Sequence, residues 1–164
     1  MRLDYKSKIS DLDTLKAKIE ILHKKRKIVV FTNGCFDILH VGHLDYLAFA
    51  RAQGDALIVG LNSDASVKRN KGEKRPIIPE QERAELLAGL SVVDYVVIFD
   101  DDEPKRIISE LLPDVLVKGE DWSHYISGGD IVKANGGKVV LAKLVPGKST
   151  TNVIENILDN FSRN

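Results

Sequence analysis

The stretch from Ile28 to His43, IVVFTNGCFDILHVGH, restricts the fold more than any other part of the sequence. It opens with Ile28, Val29, Val30 and Phe31, a continuous apolar, β-branched run of the kind that a strand buried on both faces needs. Thr32, Asn33 and Gly34 break that pattern, Gly34 removing the side chain where backbone and ligand have to approach closely, and an apolar helical pattern resumes near His43. A strand that turns through glycine into a helix is the unit of open α/β sheets, and the join is where such sheets place their ligands. His40 and His43 lie in that join, separated by Val41 and Gly42. With a helix start at His40, the spacing of three sets both imidazoles on one face, beside backbone N–H groups that have no partner inside the helix. Those are the parts of a phosphate site.

The remaining sequence repeats the same alternation. Ser10 is positioned to cap a helix carrying Leu12, Leu15, Ile19 and Leu22, so residues 1–27 are expected to form an N-terminal helical extension. Its basic end, His23 to Lys27, complements a helix C-terminus rather than forming a nucleic-acid patch. A helix from His43 to Gln53 stops at Gly54, and Ala56 to Leu61 is a second buried strand, left through a polar loop of Asn62, Ser63 and Asp64. Lys68, Arg69, Lys71, Lys74 and Arg75, around Gly72, read as a mobile basic segment. Pro79 opens a helix to about Leu90, Val93 to Phe99 is a third strand, and Asp100 to Glu103 read as the acidic cap of a helix bearing Ile107, Ile108 and Leu111, not as a metal site. Val115 to Val117 and Val139 to Leu141 are further strands, separated by a short helix that ends at Gly136 and Gly137, and Thr151 to Phe161 closes as a helix. The expectation is one α/β domain over residues 28–164, Rossmann-like and doubly wound, around a five-stranded, mainly parallel sheet.

A chain of 164 residues, 43% hydrophobic, can bury one core. Lys plus Arg equals Asp plus Glu at 24 each, so no global field draws it to nucleic acid or to an anionic membrane, and anion recognition has to be local. Its apolar runs are strand-length, which excludes a bilayer-spanning helix. MRLDYKSK has no apolar signal core, and a single cysteine, Cys35, fits a reducing cytoplasm.

Two histidines taken alone suit a metal pair, a general base with a helper, or structural roles. A metal site lacks further ligands, whereas Gly34 and Gly42 keep the backbone open as anion binding requires. Pro146 to Asn152, PGKSTTN, offers Ser149, Thr150 and Thr151 beside the free N–H groups of the last helix; Ala142, Leu144 and Val145 stand where a P-loop would need glycine and small residues, so it is an anion-ready cap and not a P-loop. Two such turns at the carboxyl ends of parallel strands, with basic residues between, describe a nucleoside triphosphate site.

In this order, TNGCFDILHVGHLDYL, GLNSDASVKRNKG, RPIIPEQER, VDYVVIF, LLPDVLVKGEDW and LVPGKSTTN resemble the nucleotidyltransferase superfamily with an HxGH signature, here His40 to His43. More narrowly, residues 26 to 160 resemble the adenylyltransferase domain of the bacterial ADP-heptose synthases. The resemblance implies the nucleotidylyl transferase fold and transfer of AMP from ATP to D-glycero-β-D-manno-heptose 1-phosphate, giving ADP-heptose and pyrophosphate for lipopolysaccharide core or other surface glycans. It places His40, His43 and Lys68 at the reacting phosphates. Thr32, Asn33, Gly34, Cys35, Phe36, Gly42, Lys71, Lys118, Asp121, Ser149, Thr150 and Thr151 fall at the nucleotide. Asp37, Asn62, Asp64, Arg83 and Arg106 are weaker candidates for the acceptor: Asp37 serves equally to orient a histidine or to shape the turn, and surface pairing on helices explains the two arginines as simply. Mg²⁺ is expected with ATP, held mainly by its phosphates rather than by a protein metal site. The resemblance further implies a stand-alone form with a separate heptose kinase and phosphatase, and a homodimer packing near Val93 and Asp94. Leu144 stands where related cytidylyltransferases carry an arginine, which favours ATP over CTP. The competing readings are a cytidylyltransferase for glycerol 3-phosphate or a similar alcohol, and an ATP-sensing module without chemistry, for which two imidazoles at one phosphate are superfluous.

Overall fold

Runs of β-branched residues dictate the centre of the molecule. Strands β1 (Val29–Gly34), β2 (Ala56–Asn62), β3 (Tyr95–Phe99), β4 (Val115–Gly119) and β5 (Lys138–Ala142) form one sheet in the order β3-β2-β1-β4-β5, and every neighbouring pair is parallel. The structure, a computed structural model, describes residues 4–162; the first three residues of the expected extension and the last two of the expected domain lie outside them. All residues of β2 and β4 are buried, as continuous apolar runs in a doubly covered parallel sheet require.

Helices α1 (Leu12–Lys24), α2 (Val41–Arg51), α3 (Asp64–Lys71), α4 (Glu80–Gly89), α5 (Lys105–Leu111), α6 (Gly129–Ala134) and α7 (Thr150–Phe161) connect and flank the strands. Alternation of side chains along each strand divides the core into two layers. Val30, Leu57, Val59 and Val117 pack with Leu47 and Ala50 of α2 and Leu87 of α4, while Val29, Phe31, Ile58 and Leu116 pack with Leu15 and Ile19 of α1, Ile107 and Ile108 of α5 and Val132 of α6. The chain runs outward from β1 to β3 and then returns to the other side of β1 as β4. The winding therefore reverses between β1 and β4, and the crevice at the carboxyl ends of those two strands is the ligand position that this topology creates.

Several expectations need correction. Thr32, Asn33 and Gly34 do not break the first strand, because Thr32 to Gly34 continue the ladder opposite Val59 to Leu61. The cap of α1 is Asp11, whose carboxylate accepts from the Thr14 amide at 2.8 Å, while the Ser10 amide donates to Val96 in β3. Within the expected extension, α1 packs onto the sheet, with Leu15 fully buried. No polar loop follows β2: Asn62 ends the strand, Ser63 caps α3 by accepting from Ser66 N at 3.0 Å, and Asp64 opens that helix, which takes in the first part of the expected mobile basic segment and buries Val67. Asp100 to Glu103 do not cap α5, which starts after Pro104; Asp100 accepts from Ser63, Asp102 from Arg69 and Asp101 from Arg106. No helix among the described residues is long and apolar enough to cross a membrane.

Candidate active site

The turn after β1 is held by bonds from the segment before α4, from α4 itself and from α7. Phe36 and Ile38 both take positive φ, 45° and 50°, a conformation that bulky residues occupy only when their surroundings impose it. Asp37 between them is 1% exposed and accepts from Arg75 Nε at 2.7 Å, Ile77 N at 2.8 Å and Ile78 N at 2.9 Å. Burial pushes its pKa up, but the amides of Ile78 and Ile77 and the Arg75 guanidinium outweigh it and hold the carboxyl below its ordinary range. Asp37 thus shapes the turn and makes no hydrogen bond to a histidine.

Arg83, on α4, completes the frame. It is 1% exposed and donates through Nε to Ile78 O at 2.8 Å, through Nη1 to Cys35 O at 2.6 Å and Asn62 O at 2.9 Å, and through Nη2 to Asp64 at 2.7 Å. The expected surface pairing is corrected: this is a buried brace across the ends of β1 and β2, and most of its donors serve the protein. Asn62 and Asp64 belong to the same brace, Asn62 also donating to Ser66 Oγ at 3.0 Å. Arg106 stands apart on α5, exposed and paired with Asp101 and Glu110, and the fold does not bring it to the histidines.

On this frame the histidines begin α2. His40 is the N-cap, and the two rings stack with centroids 3.8 Å apart and planes 21° from parallel. The His40 amide lies 3.4 Å from His43 Nδ1. A backbone N–H can only donate, so His43 Nδ1 accepts and Nε2 carries the proton, leaving a neutral ring that still presents a donor. Burial, reinforced by the neighbouring His40 and opposed by Asp37, depresses the His43 pKa to about 4. Burial and the charge of Lys148 lower that of His40. His40 Nδ1 is buried and has no hydrogen-bond partner. Phe36 supports the pair, its ring centroid 5.4 Å from that of His43.

The turn after β5 docks beside them. A methyl group on Gly42 would meet the His40 ring and Lys148 Cβ, each at 3.0 Å, so the absence of a side chain there lets the two turns touch. Thr150 Oγ1 donates to Asp37 O at 2.6 Å, and Ser149 caps α7 by accepting from Asn152 N at 3.1 Å. Thr151 is exposed on the first turn of α7. Lys148 was missed among the sequence candidates, although it lies within PGKSTTN; a cation between two anion-ready helix starts was the available signal.

Other expected residues fall around this centre. Thr32 is fully buried, its hydroxyl 2.7 Å from Tyr46 Oη. Tyr46 Oη donates to Val117 O at 3.1 Å, so the Thr32 hydroxyl is the donor in that pair, and burial raises the Tyr46 phenol to about 12. Tyr46 was not singled out in the sequence, where it reads as one more apolar helix position. Gly34 stands under the Phe36 ring. Lys68 and Lys71 are exposed on α3, and the charge of Lys71 reaches Cys35, whose thiol pKa burial nevertheless raises. Across the β1–β4 crevice, Lys118 donates to Asn33 Oδ1 while Asp121 is exposed at the mouth. Among the described residues no group of three or more His, Cys, Asp and Glu could hold a metal ion. The arrangement offers neutral donors, fixed amides and cations to an elongated anion, with a buried lysine opposite.

Known proteins share this sequence and fold. Residues 31–156 match the model of the cytidylyltransferase-like family. The chain is 54% identical over 162 residues to the bifunctional protein HldE of Syntrophotalea carbinolica, covering 98% of this chain and 33% of that protein. It is 55% identical over 159 residues to the bifunctional protein HldE of Citrifermentans bemidjiense, at 96% and 33% coverage. The chain thus spans about a third of the length of these relatives. Among solved structures, the lipopolysaccharide core biosynthesis protein from Thermoplasma volcanium is similar at TM-score 0.60 and 31% identity, over 73% of this chain and 97% of that one. Pantothenate synthetase from Thermus thermophilus shares the fold at TM-score 0.58 and 19% identity, over 88% and 66%.

Proposed function

This chain belongs to the cytidylyltransferase-like family, and from that premise we propose that it is a sugar-phosphate adenylyltransferase, moving AMP from ATP to D-glycero-β-D-manno-heptose 1-phosphate with release of pyrophosphate. The observation that carries the reaction class is the stacked His40–His43 pair at the start of α2, with Lys148 and the α7 N-terminus docked against it. An oxygen of the sugar phosphate attacks the α-phosphorus in line, the new P–O bond forms as the bond to pyrophosphate breaks, and no covalent enzyme intermediate intervenes. His43 donates through Nε2 and His40 through its ring to oxygens that gain charge at the α-phosphorus, a role that neutral imidazoles on a fixed helix start perform without reorganisation. Lys148, Ser149 and Thr151 hold the leaving β- and γ-phosphates, with Lys68 and Lys71 of α3 closing the charge balance from the other side. Mg²⁺ would be held mainly by the ATP phosphates rather than by protein ligands, and would supply charge neutralisation there.

The heptose acceptor is supported by the sequence resemblance, by the HldE relatives and by a lipopolysaccharide core biosynthesis protein among the structural neighbours. The same reading includes a cytoplasmic homodimer. A panel of nucleoside triphosphates against sugar phosphates and glycerol 3-phosphate, scored by pyrophosphate release, tests it. Release with ATP and heptose 1-phosphate is the expected result. Turnover only with CTP and glycerol 3-phosphate replaces the substrate, and tight ATP binding with no release from any acceptor replaces the enzyme with a sensor.

A further inference from the structure

Lys118 is a charged group in a place that a charge does not choose for stability. It is 9% exposed, it lies one residue before the end of β4, and its ammonium donates to Asn33 Oδ1. Among the described residues no carboxylate lies within ion-pair distance of it, and Asp121 and Glu103 act on it only from farther away. Burial lowers its pKa to about 8. A lysine so enclosed and with no carboxylate in contact is costly unless something else uses the charge.

Its position indicates what that is. Side chains alternate across β1, so Thr32 points to the α2 layer, where it meets Tyr46, and Asn33 points to the opposite layer with Lys118. The histidines, Lys148 and the start of α7 occupy the α2 side, and Lys118 occupies the other, at the crevice where the winding reverses. In-line transfer at phosphorus needs the attacking oxygen and the departing pyrophosphate on opposite sides of the reacting atom. The α2 side already supplies the donors for the triphosphate.

We infer that Lys118, oriented by Asn33, binds the phosphate of the acceptor, across the α-phosphorus from the histidines. This assignment rests on the adenylyl-transfer reading, and it differs from the nucleotide contact that the sequence resemblance implies for Lys118. Two protons of the ammonium remain for two phosphate oxygens, and the held phosphate presents its third oxygen to the α-phosphorus. The attacking oxygen carries no proton, so no base is needed at this position.

The test is Lys118→Met, which keeps the shape and removes the charge. Its melting temperature should equal or exceed that of the unaltered chain, because the lost charge was unpaired. Pyrophosphate release should show KM for heptose 1-phosphate raised about 10- to 100-fold, with KM for ATP unchanged within about twofold. A rise in KM for ATP instead, or no change in either, overturns the inference. If the unaltered chain releases no pyrophosphate, the reaction reading fails by itself, and titration of inorganic phosphate into protein loaded with a non-hydrolysable ATP analogue still decides Lys118. Weaker phosphate binding in Lys118→Met supports the inference, and equal binding overturns it.

Discussion

The two turns that form the candidate site are built to different standards. The turn after β1 sits inside a cage: Asp37 receives three donors, Arg83 spans four acceptors, and two residues are forced to positive φ. The turn after β5 is attached through the Thr150 hydroxyl and through contact across Gly42, and the α7 helix that it leads into has no buried residue. Stability in a protein is local, and groups that must be in place before reaction belong on its most constrained parts. The histidines therefore ride on a preorganised frame, while in the proposed reaction the turn after β5 is secured by the triphosphate that it would bind.

The most severe way to break this contrast is to remove the brace. Arg83→Met leaves Asp64 without its buried partner and strips the carbonyls of Cys35, Asn62 and Ile78, so unfolding stability should fall by about 3–5 kcal/mol. Urea unfolding that moves by less than about 1 kcal/mol would mean that the first turn does not depend on its cage. Next is the chemistry itself: His43→Ala should lower turnover about a hundred- to a thousandfold with the fold intact by circular dichroism. Retained pyrophosphate release in that variant removes the histidine mechanism.

Acidification separates the two turns in another way. An unfolded histidine titrates near pH 6.5, whereas folded His43 titrates at about 4. The native state therefore binds fewer protons between these values, so the contribution is complete above about pH 6.5 and is lost as pH falls toward 4, by roughly 3 kcal/mol. His43→Gln should flatten that part of the stability curve, measured by denaturant unfolding at a series of pH values. The smallest effect belongs to the lightly held turn. Thr150→Val should cost about 1 kcal/mol of stability, yet raise KM for ATP about tenfold. A large loss of stability there would show that the second turn is caged as well.

The sheet was legible because its strands are apolar runs, and the two anion-ready turns were legible because glycines, histidines and hydroxyls have local meanings. What escaped depended on distant partners. Helix α3 looks too polar to fold, until Ser63, Asp100 and Asp102 are seen to hold it. Arg83 looks like any exposed helix charge, and only the fold brings the carbonyls of Cys35 and Asn62 to it. Tyr46 and Lys148 each sat within a recognised motif, but their value lies in contacts across the sheet and between turns. Lys118 was noticed by resemblance, and its burial without a carboxylate in contact appears only in three dimensions.

Gly42 has a consequence for how this sequence can drift. Any replacement there adds at least one carbon, and that carbon meets His40 Cε1, His40 Nδ1 and Lys148 Cβ together, all at 3.0 Å. Each neighbour would have to yield by a few tenths of an ångström, and one of them is the His40 ring, to which the proposed reaction assigns a phosphate contact. In a saturation scan of residues 28–43 scored by growth, position 42 should admit no replacement, while exposed Val41 beside it tolerates many. The space between the two turns is then as much a requirement of the site as any side chain.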